Sequence, residues 1–119
     1  MKKIFWIFIV LTLFVTYGCC PKEKGKLTMK TNALLIDVRT LEEYQNGFIA
    51  GAVNIPYDEI ESEISNFTNQ KNKPLYLYCR SGRRSAIAKA ALEKSGFQDI
   101  TDLGSFTDAQ KTLQLPIVK

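Results

Sequence analysis

Between Ala33 and Val118, short apolar runs alternate with segments in which apolar residues recur every three or four positions. Ala33-Leu34-Leu35-Ile36-Asp37-Val38 is a continuous apolar run carrying one acid, the pattern of a strand covered on both faces. Thr40-Leu41-Glu42-Glu43 fits a capping box, with Thr40 as N-cap and Glu43 reaching back. It predicts a helix of under two turns that stops at Asn46-Gly47. Ala52 to Ile55 forms a second short strand, ended by Pro56, whose missing N–H cannot continue a ladder. Ile60, Ile64 and Phe67 then recur at helical spacing, with Glu59, Glu61 and Glu63 turned outward. Pro74 opens a central strand from Leu75 to Tyr78. The following helix, Ser85 to Ser95, places Ile87, Ala90 and Ala91 on one face before Gly96 stops it. Ile100 to Leu103 is a fourth strand, Thr107 to Leu113 a last capped helix, and Leu115 to Val118 a closing extended piece. This alternation predicts an α/β domain over 32–119, with a mostly parallel central sheet and helices on both faces.

The residues ahead of the domain follow a different pattern. Residues 1–20 read as an export signal, with Lys2 and Lys3 as the positive region and Ile4 to Val15 as an apolar core. That core is shorter than the about 20 residues a membrane span needs. Cys19 directly follows a cleavage position at Gly18, which resembles the lipobox of bacterial lipoproteins, where this thiol is acylated. Thr16 and Tyr17 depart from the residues preferred there. The alternative is an ordinary leader that ends in Cys19-Cys20. Both readings lead to the cell envelope, either periplasmic or anchored to the membrane through a lipid on Cys19. Residues 21–31 are polar and lysine-rich, as expected of a linker or of a solvated tail.

Composition narrows the chemistry. With 119 residues, 45% of them hydrophobic and 24% charged, the chain has room for one ordinary globular domain. Sixteen basic residues face twelve acidic ones, and two of the sixteen, Lys2 and Lys3, lie in the leader. Such a balance gives no reason to invoke nucleic acid. Histidine is absent. A Cys-His dyad, a Ser-His-Asp triad and any His-ligated metal are therefore excluded, and no metal or organic cofactor is implied. Whatever activates a cysteine here must be charge or backbone dipoles.

The candidate is Cys79. The apolar strand Leu75–Tyr78 delivers it into Arg80-Ser81-Gly82-Arg83-Arg84-Ser85, just before a helical pattern. Exported proteins usually pair their cysteines, yet beyond Cys19 and Cys20 this domain has only one, which reads as a reactive thiol. Gly82 allows the positive φ that a tight curl requires. Successive amides in such a curl converge on its centre, and the helix beginning at Ser85 adds its positive end. That arrangement lowers a thiol pKa, so Cys79 is expected to be nucleophilic at neutral pH without a base. Arg80, Arg83 and Arg84 bias the site toward an anionic substrate. A lone cysteine ending a strand is more often a small buried hydrophobe. Three arginines within five residues do not suit that bland reading.

The segment Cys79-Arg80-Ser81-Gly82-Arg83-Arg84-Ser85 resembles the active-site loop of rhodanese-like sulfurtransferases. A second segment agrees: Leu35-Ile36-Asp37-Val38-Arg39, then Glu42-Glu43-Tyr44, then Gly47-Phe48-Ile49-Ala50-Gly51-Ala52-Val53-Asn54-Ile55-Pro56 resembles the family's other signature. With Leu103-Gly104, the similarity runs from about Leu34 to Val118. It departs at Phe48, where His is usual, and at Ser105, where a second Gly is common. The resemblance implies a rhodanese-like fold. It also implies a cysteine that takes a sulfane sulfur from a small anionic donor such as thiosulfate, becomes a persulfide, and passes the sulfur to cyanide or a thiol. Carried across, Cys79 is the nucleophile, the amides of Arg80 to Ser85 form the cradle, and the Ser85 hydroxyl adds a bond. Arg80 and Arg84 would bind the sulfonate part of the donor, with Arg83 facing solvent. Asp37 and Arg39 would form an ion pair that supports the neighbouring loop.

Two other readings stay open. Some rhodanese-like domains act as binding modules, and a persulfide carrier would hand sulfur to a protein while turning over small molecules slowly. Related folds use a cysteine loop in phosphatases and arsenate reductases, but those sites resemble a pattern with one residue more than the four between Cys79 and Arg84. The smaller bowl suits one sulfur atom better than a phosphoryl group.

Overall fold

A computed structural model describes residues 25–119. The expected leader, its lipidation candidate Cys19, and the start of the lysine-rich stretch lie outside the described residues. Four strands form the central sheet: β1 (Leu34–Asp37), β3 (Val53–Asn54), β4 (Leu75–Cys79) and β5 (Ile100–Ser105). They lie in the order β3-β1-β4-β5, and every neighbouring pair is parallel. A separate antiparallel pair joins β2 (Phe48–Ile49) to β6 (Ile117–Val118).

The apolar runs of β1 and β4 are continuous because both faces of the sheet are covered. Alternate residues divide between two cores. Ile36, Leu75, Leu77 and Cys79 face a cluster completed by Ile60 and Ile64 and by Ala88 and Leu92 of α3 (Arg83–Lys94). Ile60 opens the short helix α2 (Ile60–Glu63), and Ile64 opens the single 3-10 turn that follows it. Leu35, Tyr76 and Tyr78 face the other cluster, closed by Ala109 and Leu113 of α4 (Phe106–Leu113). Fully burying an aliphatic side chain of this kind contributes about 1.5–3 kcal/mol, and these clusters hold the ends of β1, β4 and β5 in register.

Three features differ from the periodicity reading. The fully buried residues of α3 are Ser85, Ala88 and Leu92; of the expected face Ala91 packs partly buried against the core, whereas Ala90 is exposed and Ile87 is 46% exposed. Alanines all round this helix hide its true stripe. Phe67, expected on the inner face of the preceding helix, is exposed, because α2 gives way to a 3-10 turn that rotates it outward. The last part of the lysine-rich stretch is laid along the domain instead of standing free of it. Leu27 donates its amide to the Thr112 carbonyl at 2.8 Å, and Leu27 and Met29 pack on the α4-side core. Those two apolar residues at alternate positions account for the docking.

Among the described residues, no helix is long and apolar enough to cross a membrane.

Candidate active site

In parallel α/β sheets the loops beyond the carboxyl ends of the strands collect ligands, and the arginine-rich loop lies there, at the end of β4. Cys79 is the last residue of β4 and is wholly buried. Only Arg80, Ser81 and Gly82 separate it from α3, which starts at Arg83, two residues earlier than the sequence pattern predicts. The reason is local. Gly82 is the N-cap at φ +93°, a left-handed conformation that turns the chain at once into the helix.

This short connection brings amides onto the sulfur. Gly82 donates its N–H to Cys79 Sγ at 2.8 Å. Burial pushes the Cys79 thiol up, but hydrogen bonds from the Ser85 amide and hydroxyl and from the Gly82 and Ser81 amides outweigh it, and the net shift is downward. The Ser85 hydroxyl also reaches the Gly82 carbonyl at 3.0 Å, and a hydroxyl has one proton to give. It can therefore turn between the carbonyl when the sulfur is a thiol and the sulfur when it is a thiolate. The first turn of the twelve-residue α3 adds its positive end to the same point.

The loop is braced from β5. Ser81 pairs with Ser105 in an isolated antiparallel bridge, and the Phe106 amide approaches the Arg80 carbonyl. A Cβ on Gly82 would lie 3.5 Å from the Gly104 Cα, so loop and brace touch through their backbones. Ser105, a departure from the family pattern, caps α4 by accepting from the Asp108 amide at 3.1 Å. Phe48, the other departure, stacks on Tyr44 with ring centroids 4.2 Å apart.

Asp37 and Arg39 form a buried pair at 2.6 Å, and Arg39 also donates to the Gly47 carbonyl at 2.6 Å. The Arg39 guanidinium lies over the Phe106 ring, 4.5 Å from its centre, so the pair joins the ends of β1 and β5 beside the loop. It sits in the wall of the site, away from the sulfur cradle.

The three loop arginines are not equivalent. Arg80 and Arg83 are exposed, and neither has an ion-pair partner among the described residues. Arg84, expected to bind the donor, is given instead to Glu43: its two terminal nitrogens meet the carboxylate at 2.7 and 3.0 Å. Glu43 lies on α1 (Leu41–Gln45) and also accepts from the Thr40 hydroxyl, and the Arg84 guanidinium holds its carboxyl down to about 2. The sequence marks Glu43 as part of the helix cap and of the second family signature, and gives it no role at the loop. The 41 residues separating it from Arg84 leave no local signal of the contact.

Two open cavities flank the loop. One, of about 450 Å³, is lined by Arg39, Glu43, Asn46, Arg80, Phe106 and Thr107; the other, of about 360 Å³, by Tyr57, Ser81, Arg83, Arg84 and Ile87. Such an arrangement can hold an anion next to a thiolate and needs no general base.

Comparison with known proteins gives the family and the fold. The family model for a rhodanese-like domain matches residues 21–111. Thiosulfate sulfurtransferase PspE of Escherichia coli (strain K12) is 36% identical over 84 residues, covering 71% of this chain and 77% of that protein. The putative sulfur carrier protein YrkF of Bacillus subtilis (strain 168) is 34% identical over 80 residues, 67% of this chain; the match spans 42% of YrkF. A solved structure described as a rhodanese with anions from E. coli aligns with TM-score 0.67 at 34% identity, covering 73% of this chain and 98% of that one.

Proposed function

The chain belongs to the rhodanese-like domain family, whose members similar to it include proteins named as thiosulfate sulfurtransferases, and we propose that it moves a sulfane sulfur from thiosulfate to cyanide or a thiol through a persulfide on Cys79. The observation that carries this reading is the thiolate cradle: a sulfur with its pKa lowered by main-chain donors, at a helix start flanked by arginines.

In the first half-reaction the Cys79 thiolate attacks the outer sulfur of thiosulfate. A new S–S bond forms, the S–S bond of thiosulfate breaks, and sulfite leaves with the electron pair. The product is a Cys79 persulfide anion, and the amides of Ser81, Gly82 and Ser85 are the donors placed to hold its charge. In the second half-reaction cyanide attacks that outer sulfur, thiocyanate leaves, and the Cys79 thiolate returns to the same donors. Arg80 and Arg83 are the guanidinium groups left to attract the donor's sulfonate. Asp37 and Arg39 hold the loop wall. The lysine-flanked apolar leader supports export to the cell envelope, with Cys19 as the candidate lipid attachment point.

The test is thiocyanate formation from thiosulfate and cyanide by the native chain and by Cys79→Ser. Turnover by the native protein and none by the variant is expected. Inactivity of both, together with hydrolysis of a phosphate ester, would replace this reading with a phosphatase. The similarity to the putative sulfur carrier protein YrkF supports one second reading, a carrier whose persulfide is delivered to a protein thiol. It would load sulfur without releasing thiocyanate.

A further inference from the structure

Glu43 and Arg84 join the two sides of the site. Glu43 stands in the wall of one flanking cavity and Arg84 in the wall of the other. Their two-pronged contact fixes the guanidinium plane, and the Thr40 hydroxyl fixes the carboxylate. Both side chains are partly open to solvent, 22% and 26%, and pairs this exposed contribute little to stability. Their effect on charge is larger. Arg84 is the loop arginine whose own ionisation registers both Glu43 and the Cys79 thiolate. An anion approaching Arg84 meets the Glu43 carboxylate alongside it, so attraction and repulsion largely offset one another.

We infer that Glu43 is a positioning residue that sets the charge of the sulfur site: it holds Arg84 beside Cys79 and cancels that guanidinium toward incoming anions, leaving Arg80 and Arg83 to meet the donor. The inference rests on the anion-binding reading of the loop given above. Its consequence for transfer is selective. After sulfur moves, the departing sulfite is itself an anion, and a third uncompensated arginine would retain it. Glu43 keeps the site attractive enough to collect the donor and weak enough to release the product.

The experiment measures how sulfate protects Cys79 of the full chain from iodoacetamide, read on the Cys79-containing peptide by mass spectrometry. Glu43→Gln keeps an oxygen for Arg84 but removes the charge, and should bind sulfate about fivefold tighter than native. Arg84→Met alone leaves the Glu43 carboxylate uncompensated and should weaken sulfate protection, whereas the Glu43→Gln/Arg84→Met double variant removes both charges and should bind sulfate within about twofold of native, abolishing the gain. A purely structural role for Glu43 would not tighten anion binding. Unchanged or weaker sulfate binding in Glu43→Gln, or no protection in any variant, overturns the inference. Should Glu43→Gln fail to fold, the double variant, which leaves neither charge unpaired, decides alone, and a loss of sulfate binding of about fivefold or more in it refutes the inference. The assay needs no sulfur transfer, so a native protein that binds sulfate but takes up no sulfur counts against the transfer reading and not against this one.

Discussion

Replacing Gly82 with alanine tests the cradle at its most exposed point of principle, a glycine whose backbone conformation and amide both serve the sulfur. At φ +93° an L-residue is strained, at a cost of about 1–2 kcal/mol. The added Cβ would lie 3.5 Å from the Gly104 Cα and 3.7 Å from the Ser105 amide nitrogen, ordinary contact distances that add no clash. The whole effect is therefore backbone strain, a change of roughly 5- to 30-fold in the folded-to-unfolded ratio, which a typical domain tolerates. Relief of that strain rotates φ toward negative values and swings the Gly82 N–H away from Sγ, removing the donor now at 2.8 Å. The thiol pKa should then rise. Gly51 supplies the control: its φ is +86°, nothing lies within 4 Å of a Cβ there, and its amide has no part in the cradle. Urea denaturation should show the same loss of about 1–2 kcal/mol for both variants. The pH profile of Cys79 alkylation should move up only in Gly82→Ala. An unmoved profile in Gly82→Ala, or an equal movement in Gly51→Ala, refutes the reasoning.

Other consequences concern the frame around the loop. Asp37→Asn leaves the Arg39 charge buried without its partner and should cost about 3–5 kcal/mol in urea denaturation, whereas an exposed pair would cost under about 1. Leu92→Ala should destabilise by about 2–5 kcal/mol and Ile87→Ala by about 0.5 or less, which checks by denaturation which face of α3 is inward. The Glu43 carboxyl titrates at about 2 in the fold against an ordinary value of 4.5, so between these pH values the unfolded chain binds more protons. The stability from the Glu43 to Arg84 pair is thus fully present above pH 4.5 and lost as pH falls through about 2. Solvent screening keeps it small. The stability difference between native and Glu43→Gln should shrink over that acid window and stay constant above it, as followed by denaturation at stepped pH.

The elements carrying the chemistry were legible because their signals are local. An apolar run ending in Cys79, a glycine immediately before the first helical arginines, and the Thr40 cap each lie within a few positions of what they specify. The rest depends on contacts between distant segments. The pairing of β2 with β6 involves two residues on each side, too few to carry an alternation. The inward face of α3 was obscured because its apolar residues go all the way round, and only packing on Ile36 and Leu77 selects Ala88 and Leu92. The partner of Arg84 is set by how α1 docks beside α3, a tertiary fact with no trace in the loop itself.

The central claim is that main-chain donors keep the buried Cys79 sulfur ionised and then shelter the sulfur it accepts. Mass spectrometry of the Cys79-containing peptide after exposure to thiosulfate, without reductant, tests it most directly. The account predicts the gain of one sulfur atom matched by one released sulfite. A Cys79 peptide of unchanged mass, with no sulfite released, would contradict it.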